Sequence, residues 1–260
     1  MGIVASAADY ILRTMAATRQ RLPWQRHPAT QLAAVALGVL PMYAVSAISG
    51  YRSLASGIFQ VPGVLDSILN AAFVVLFFGS ILLALLYILC GERLSGLQLQ
   101  QGSWTVDLVR GLGLAGLLLG AQVAFNFIVS LFISAEVPLA NREIASALSG
   151  DALLLAVWLG PVVWLQAALI EEFSRVFLLT RLWQVWPAPA HKMYAVIASA
   201  LLFGLGHIYQ GPLGILGTAL IGLLLAWHFL RYGRVLPLFI AHGVYNTVVL
   251  AMLVSWSGAA

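Results

Sequence analysis

Seven stretches of this chain contain no Asp, Glu, Lys or Arg and are long enough, or nearly so, to cross a bilayer: 31–49, 67–90, 111–134, 152–170, 193–209, 213–230 and 235–255. Crossing a hydrocarbon layer about 30 Å thick takes about 20 helical residues, so the fifth and sixth stretches, 17 and 18 residues long, are the short ones. Lipid offers the backbone no hydrogen-bond partners, and the strict alternation of a barrel strand is absent, so each stretch is expected to be a helix. Only 8% of the residues are charged and 62% are hydrophobic, with a mean hydropathy of +0.97. A soluble protein of this size could not cover its surface with so few charges. The expected fold class is all-α: a polytopic membrane helix bundle of about seven transmembrane helices, with the lipid bilayer as its principal partner.

Lys and Arg are sorted between these stretches. Alternate connecting segments carry Arg13, Arg19, Arg21, Arg26, Arg93, Arg110, Arg175, Arg181, Lys192, Arg231 and Arg234, and the segments between them only Arg52 and Arg142. The positive-inside rule then puts the N-terminus in the cytoplasm and the C-terminus outside, in a multi-pass protein of a cell membrane. The formal charge of +4 therefore reflects topology and makes no case for nucleic acid. Within 1–30, Ile3, Ala7, Tyr10, Ile11 and Met15 recur at helical spacing among arginines, which predicts an interfacial amphipathic helix. Residues 31–260 are expected to form a single transmembrane domain, because the loops 51–66, 91–110 and 135–151 are too short for a soluble one. The last loop, with Glu136, Glu143 and Asp151, is expected outside the membrane with a helical piece. Cys90, the one cysteine, excludes an internal disulfide and reads as a small buried hydrophobe.

Three of the apolar segments carry chemistry. Glu171, Glu172 and Arg175 directly follow the fourth stretch, and the helix is expected to run past them to about Trp186, ended by Pro187 and Pro189. Ionisable groups inside or at the edge of a membrane helix are costly and mark function by default. Alone, this acidic cluster reads as well as an idle, solvated helix end. Two further segments change the weighing. In FGLGH, Phe203 and His207 stand four apart, and the two glycines, Gly204 and Gly206, let another helix approach closely; in HGVYN, His242 and Asn246 share a helix face. A lone histidine in a span is usually a satisfied core residue, but two of them, with an amide and a carboxylate pair, point to a buried hydrolytic centre. His228, beside Trp227, reads as an interfacial residue.

The order Glu-Glu…Arg, FxxxH, HxxxN over about 155–250 resembles the CPBP family of intramembrane metalloproteases, which includes the type II CAAX prenyl endopeptidases and bacteriocin-immunity-type proteins. The acidic motif departs from the family's EExxxR, since Glu171-Glu172-Phe173-Ser174-Arg175 is one residue shorter. Aligned on the glutamates, Glu171 takes the place of the catalytic base and Glu172 meets Arg175 at i,i+3. Aligned on the arginine, Glu171 becomes its structural partner and Ile170 occupies the base position, which makes a dead protease. The first register is preferred, because i,i+3 pairs still meet on a helix and both histidine motifs are intact.

In that register the resemblance implies an endopeptidase acting on a peptide or protein substrate in or at the membrane. Glu171, helped by His207, would activate water; His242 and Asn246 would form the oxyanion hole; Glu172, Arg175 and Phe203 would orient the site. Glu171, His207 and His242 could also hold Zn²⁺ with an open fourth position, while the same groups can work with no metal. One family branch cuts prenylated CAAX substrates, and nothing in these residues specifies one. The alternatives are an inactive immunity or scaffold protein on the same fold, or a small transporter, which broken helices or inverted repeats would signal. Of the remaining intramembrane features, Gln122 and Asn126 read as interhelical hydrogen-bonding residues and Gln166 as a neighbour of the acid pair. Gly116, Gly120, Gly211, Gly214, Gly217 and Gly222 read as close-packing positions.

Overall fold

The computed structural model describes residues 21–97, 102–134 and 137–257. It is an all-α bundle with no strand among the described residues. Six helices are long and apolar enough to cross a membrane: α1 (Pro28–Ser53), α2 (Val64–Leu89), α3 (Trp104–Ser130), α5 (Ala152–Val185), α7 (Ile208–Tyr232) and α8 (Leu236–Ser257). Between them lie α4 (Leu139–Ser149), which is the helical piece of the 135–151 loop, and α6 (Pro189–Leu205). All seven apolar stretches are therefore helices, but α6, with 17 residues, is only roughly 25 Å long. That is shorter than the hydrocarbon layer, so six helices rather than seven meet the length of a span. The amphipathic helix expected over 1–30 lies mostly outside the described residues. Its described end is a 3-10 turn, Pro23–Arg26, and α1 already begins at Pro28.

The bundle is built around α5. Asp151 starts it, its carboxylate accepting from the backbone N–H of Leu153 (3.0 Å) and Leu154 (2.9 Å). From Trp158 to Leu169 the helix widens to π geometry. Pro161 lies in this stretch; in α geometry it would lose a hydrogen bond and press its ring on the carbonyl four residues back, and a wider turn relieves that clash. The α spacing resumes at Ile170, one residue before the acid pair. At 34 residues, α5 is about 50 Å long, far more than a straight crossing requires. Every residue from Ser174 to Arg181 is buried, so this half of the helix has neighbours on all sides.

Phe177, Leu178 and Leu179 pack with Leu82 and Leu86 of α2, Val39 of α1, Val196 of α6 and Phe229 of α7. The outward faces of the other helices carry large apolar side chains such as Leu76, Val123 and Phe127, as lipid requires. A polar clamp closes one end of the core. Glu92, after α2, accepts from Arg181 Nη2 (2.5 Å) and Gln184 Nε2 (2.8 Å) and pairs with Arg21. Arg181 Nη1 donates to Gln31 Oε1 on α1 (3.0 Å). Nearby Cys90 is fully buried, and burial pushes its thiol up, which fits an inert packing residue.

Close helix approach occurs at the expected Gly204, Gly206, Gly217 and Gly222, and also at Gly111, which the sequence reading did not single out. A Cβ at Gly204 would lie 2.6 Å from the Ile215 carbonyl, and one at Gly111 would lie 2.7 Å from Ile240 Cβ. Gly116 and Gly120 have nothing within 4 Å of a Cβ and face outward, so they are not packing positions. His228 is buried against α7's own end, with its ring 4.6 Å from that of Tyr232. Gln122 behaves as read, accepting from Tyr245 Oη of α8 (3.1 Å) and donating to Asn126 (2.9 Å).

Candidate active site

Where α spacing resumes on α5, adjacent carboxylates point about 100° apart, and α8 places His242 between them. His242 Nδ1 lies 2.8 Å from Glu172 Oε1, and its Nε2 lies 3.7 Å from Glu171 Oε2. A carboxylate only accepts, so Nδ1 carries the proton and donates to Glu172. Glu172 is fully buried and also receives Arg175 in a fork, from Nε at 2.9 Å and Nη2 at 3.3 Å. The pairing is thus i,i+3, Glu172 to Arg175, while Glu171 makes no bond to the guanidinium.

Arg175 is equally buried, and its remaining nitrogen donates to the Gly222 carbonyl on α7 (3.2 Å). Its guanidinium carbon sits 4.3 Å from the centre of the Phe203 ring. Phe203 in turn meets His242 edge-on, with centroids 5.8 Å apart. One phenyl ring therefore supports both the arginine and the imidazole. Glycine at 222 is what lets these groups meet, since a Cβ there would fall 2.9 Å from Phe203 Cδ1 and 3.3 Å from Arg175 Nη1. Gly243 plays the same part behind His242, where Trp164 of the π stretch occupies the space of a Cβ. Gly222→Ala is accordingly expected to cost about 1–3 kcal/mol by overpacking. Gly116→Ala is expected within about 0.5 kcal/mol of the parent. Thermal unfolding of the two variants in detergent checks the contrast; equal midpoints would contradict it.

Glu171 differs from every other charge in this chain of contacts. Its side chain is 24% exposed, yet Oε2 is buried and has no hydrogen-bond partner among the described residues. Buried carboxylate oxygens are ordinarily satisfied, and leaving one unpaired costs about 1–3 kcal/mol or more. The arrangement is therefore one fully bonded carboxylate that can only hold its neighbours and one carboxylate free to take a proton.

His207 and Asn246 stand further out. His207 Nδ1 lies 2.9 Å from the Phe203 carbonyl, so Nδ1 donates and Nε2 carries the lone pair in the neutral ring. Its ring packs 4.8 Å from the Phe203 ring, and no hydrogen bond or ion pair joins it to Glu171. Asn246 is half-buried, one turn beyond His242, with no side-chain hydrogen bond among the described residues. Gln166 accepts from Asn70 of α2 (3.3 Å).

The donors conceivable for a metal do not converge. Among the described residues no three His, Cys, Asp or Glu side chains lie close enough to hold an ion. Both His242 nitrogens face glutamates, and both imidazoles pack against the Phe203 ring, with no bond between His207 and Glu171 among the described residues. The set Glu171, His207 and His242 thus does not fit Zn²⁺ in this arrangement, and no step below uses one.

Sequence reading missed Gly222 and Gly243 as site residues, and it missed the position of His242 between the acids. The glycine following the histidine in HGVYN was a visible signal; the bridging imidazole had none. Comparison with known families finds that residues 153–248 match the model described as type II CAAX prenyl endopeptidase Rce1-like. The match runs from the start of α5 into α8 and includes all seven residues singled out above, in agreement with the resemblance read from the motifs. No curated protein and no solved structure matched the chain.

Proposed function

We propose that this chain, whose residues 153–248 carry a segment of the Rce1-like type II CAAX endopeptidase family, is an intramembrane endopeptidase that hydrolyses a peptide bond of a membrane-associated substrate. The observation that carries the reading is the unpartnered Glu171 oxygen beside an otherwise fully bonded Arg175–Glu172–His242 chain. In this reading Glu171 takes a proton from water and the resulting hydroxide adds to the scissile carbonyl. Glu171 then returns the proton to the leaving amine as the carbon–nitrogen bond breaks, which leaves a carboxylate and a free amine.

His242 is held in place by Glu172 and, when doubly protonated, donates from Nε2 toward the developing oxyanion together with Asn246. Glu172, Arg175 and Phe203 keep the imidazole from turning. His207, with its lone pair on Nε2, accepts from the attacking water. We place residues 31–260 in one transmembrane domain, its N-terminus cytoplasmic and C-terminus outside, on the distribution of Lys and Arg; this orientation requires α6, short as it is, to cross as a seventh span. The inactive-scaffold alternative is favoured by the register in which Glu171 pairs with Arg175; the bonds of Arg175 to Glu172 support the other register.

The test is hydrolysis by the full chain in liposomes. A farnesylated CAAX peptide and an unprenylated membrane-anchored peptide are offered in oxygen-18 water. The expected result is a fragment of at least one peptide bearing the label at its new C-terminus. Absence of labelled fragments from both would overturn the reading in favour of the scaffold.

A further inference from the structure

We propose that the hydroxyl of Tyr43, on α1 and outside the segment that matches the family, is an additional catalytic donor that hydrogen-bonds the scissile carbonyl oxygen. The inference rests on the hydrolytic reading of the site. It starts from an anomaly: Tyr43 is 6% exposed, and its Oη is buried with no hydrogen-bond partner among the described residues. Buried tyrosines usually bond their hydroxyl, and leaving one alone is costly.

Position makes the anomaly informative. The Tyr43 ring lies against Gly206, the residue before His207, where a Cβ would come within 3.1 Å of Cδ1 and 3.6 Å of Cε1. One turn along α1, Ser46 Oγ donates to the Gly206 carbonyl (2.7 Å), which fixes α1 to this turn. Next to Tyr43, Met42 Sδ accepts from Ser174 Oγ of α5 (3.3 Å), which brings this part of α1 against the turn that carries Glu171, Glu172 and Arg175. An orphan donor, Tyr43 Oη, and an orphan acceptor, Glu171 Oε2, therefore share one neighbourhood without bonding each other.

A water and a peptide carbonyl together satisfy both, the water giving its proton to Glu171 and the carbonyl oxygen accepting from Tyr43. Negative charge grows on that oxygen as the tetrahedral intermediate forms, so the bond strengthens in the transition state, where a fixed donor is most effective. Tyr43 keeps its proton throughout. Its place well inside α1 also sets it apart from the interfacial band where membrane tyrosines gather.

The experiment compares Tyr43→Phe and Glu171→Gln with the parent chain in the liposome assay, with thermal unfolding of each. Tyr43→Phe keeps the ring and removes only the hydroxyl. It is expected to lower kcat about 100-fold or more, with KM changed less than about threefold and the unfolding midpoint not lowered. A kcat within about threefold of the parent, a loss confined to KM, or a lowered midpoint would each overturn the proposal. A Glu171→Gln variant inactive in the same assay would leave the hydrolytic reading standing in those cases. Parent-level activity in Glu171→Gln would instead remove the reading on which the proposal rests.

Discussion

Arg175→Met is expected to destabilise the folded protein by about 3–5 kcal/mol, the cost of leaving a buried charge without its partner. Glu172 is fully buried, and the guanidinium supplies two of the three hydrogen bonds made to its oxygens. Methionine replaces the stem and the packing on Phe203 but none of those bonds. It also leaves the Gly222 carbonyl without the donor at 3.2 Å. Adding Glu172→Gln removes the orphaned charge while still offering His242 Nδ1 an acceptor, so the double variant is expected to be more stable than Arg175→Met alone. Arg175→Lys is expected to fall between parent and Met, because an ammonium cannot fork to a carboxylate and lie flat on a ring together. Unfolding midpoints in one detergent order the four proteins. A Met variant within about 1 kcal/mol of the parent would show that the pair is not what holds α5 to α7 and α8.

The pairing behind this prediction is where sequence reading reached its limit. The shortened acidic motif admitted two registers, and spacing permitted Arg175 to meet either glutamate. The choice is made by α7 and α8. The Gly222 carbonyl and the Phe203 face fix the guanidinium, and His242 then bonds the carboxylate on the same side. Long-range partners of this kind leave no trace in local spacing.

The helices were legible for the opposite reason. Exclusion of charge from lipid is imposed residue by residue, so seven charge-free stretches are seven helices, and the stop at Pro187 and Pro189 matches the end of α5 at Val185. Length is less secure. The fifth stretch begins inside α6 and continues across Gly206 and His207 into the next element, so the uninterrupted helix stops at Leu205. The π stretch was hidden too. Pro161 alone signals a kink or a break, and only the neighbours of α5 decide that a wider turn absorbs it. Glycines were read correctly only in part on the same ground: Gly204, Gly217 and Gly222 do face another helix, but so does the unread Gly111, whereas Gly116 and Gly120 face outward.

Glu171→Gln is expected to lower kcat by about 10³- to 10⁴-fold, the largest catalytic effect of any single change in this site. The folded state should barely change, since Oε2 has no partner to lose and the bonds of Glu172 remain. His242→Gln is expected to fall in the same range for a different reason. It removes the nitrogen 3.7 Å from Glu171 Oε2 while its amide can still donate to Glu172 Oε1, so loss of activity does not come with loss of the fold. If carboxylate and imidazole act on one water and one carbonyl, they form a unit, and knocking out either should cost nearly as much as knocking out both. The double variant, Glu171→Gln with His242→Gln, is therefore expected within about tenfold of the weaker single variant. Rates from the liposome assay, corrected for folded fraction by unfolding in the same lipid, decide the point. Losses that multiply would mean that the two groups act on separate steps, and the contact chain from Arg175 to His242 would then be a scaffold for Glu172 rather than a device that serves Glu171.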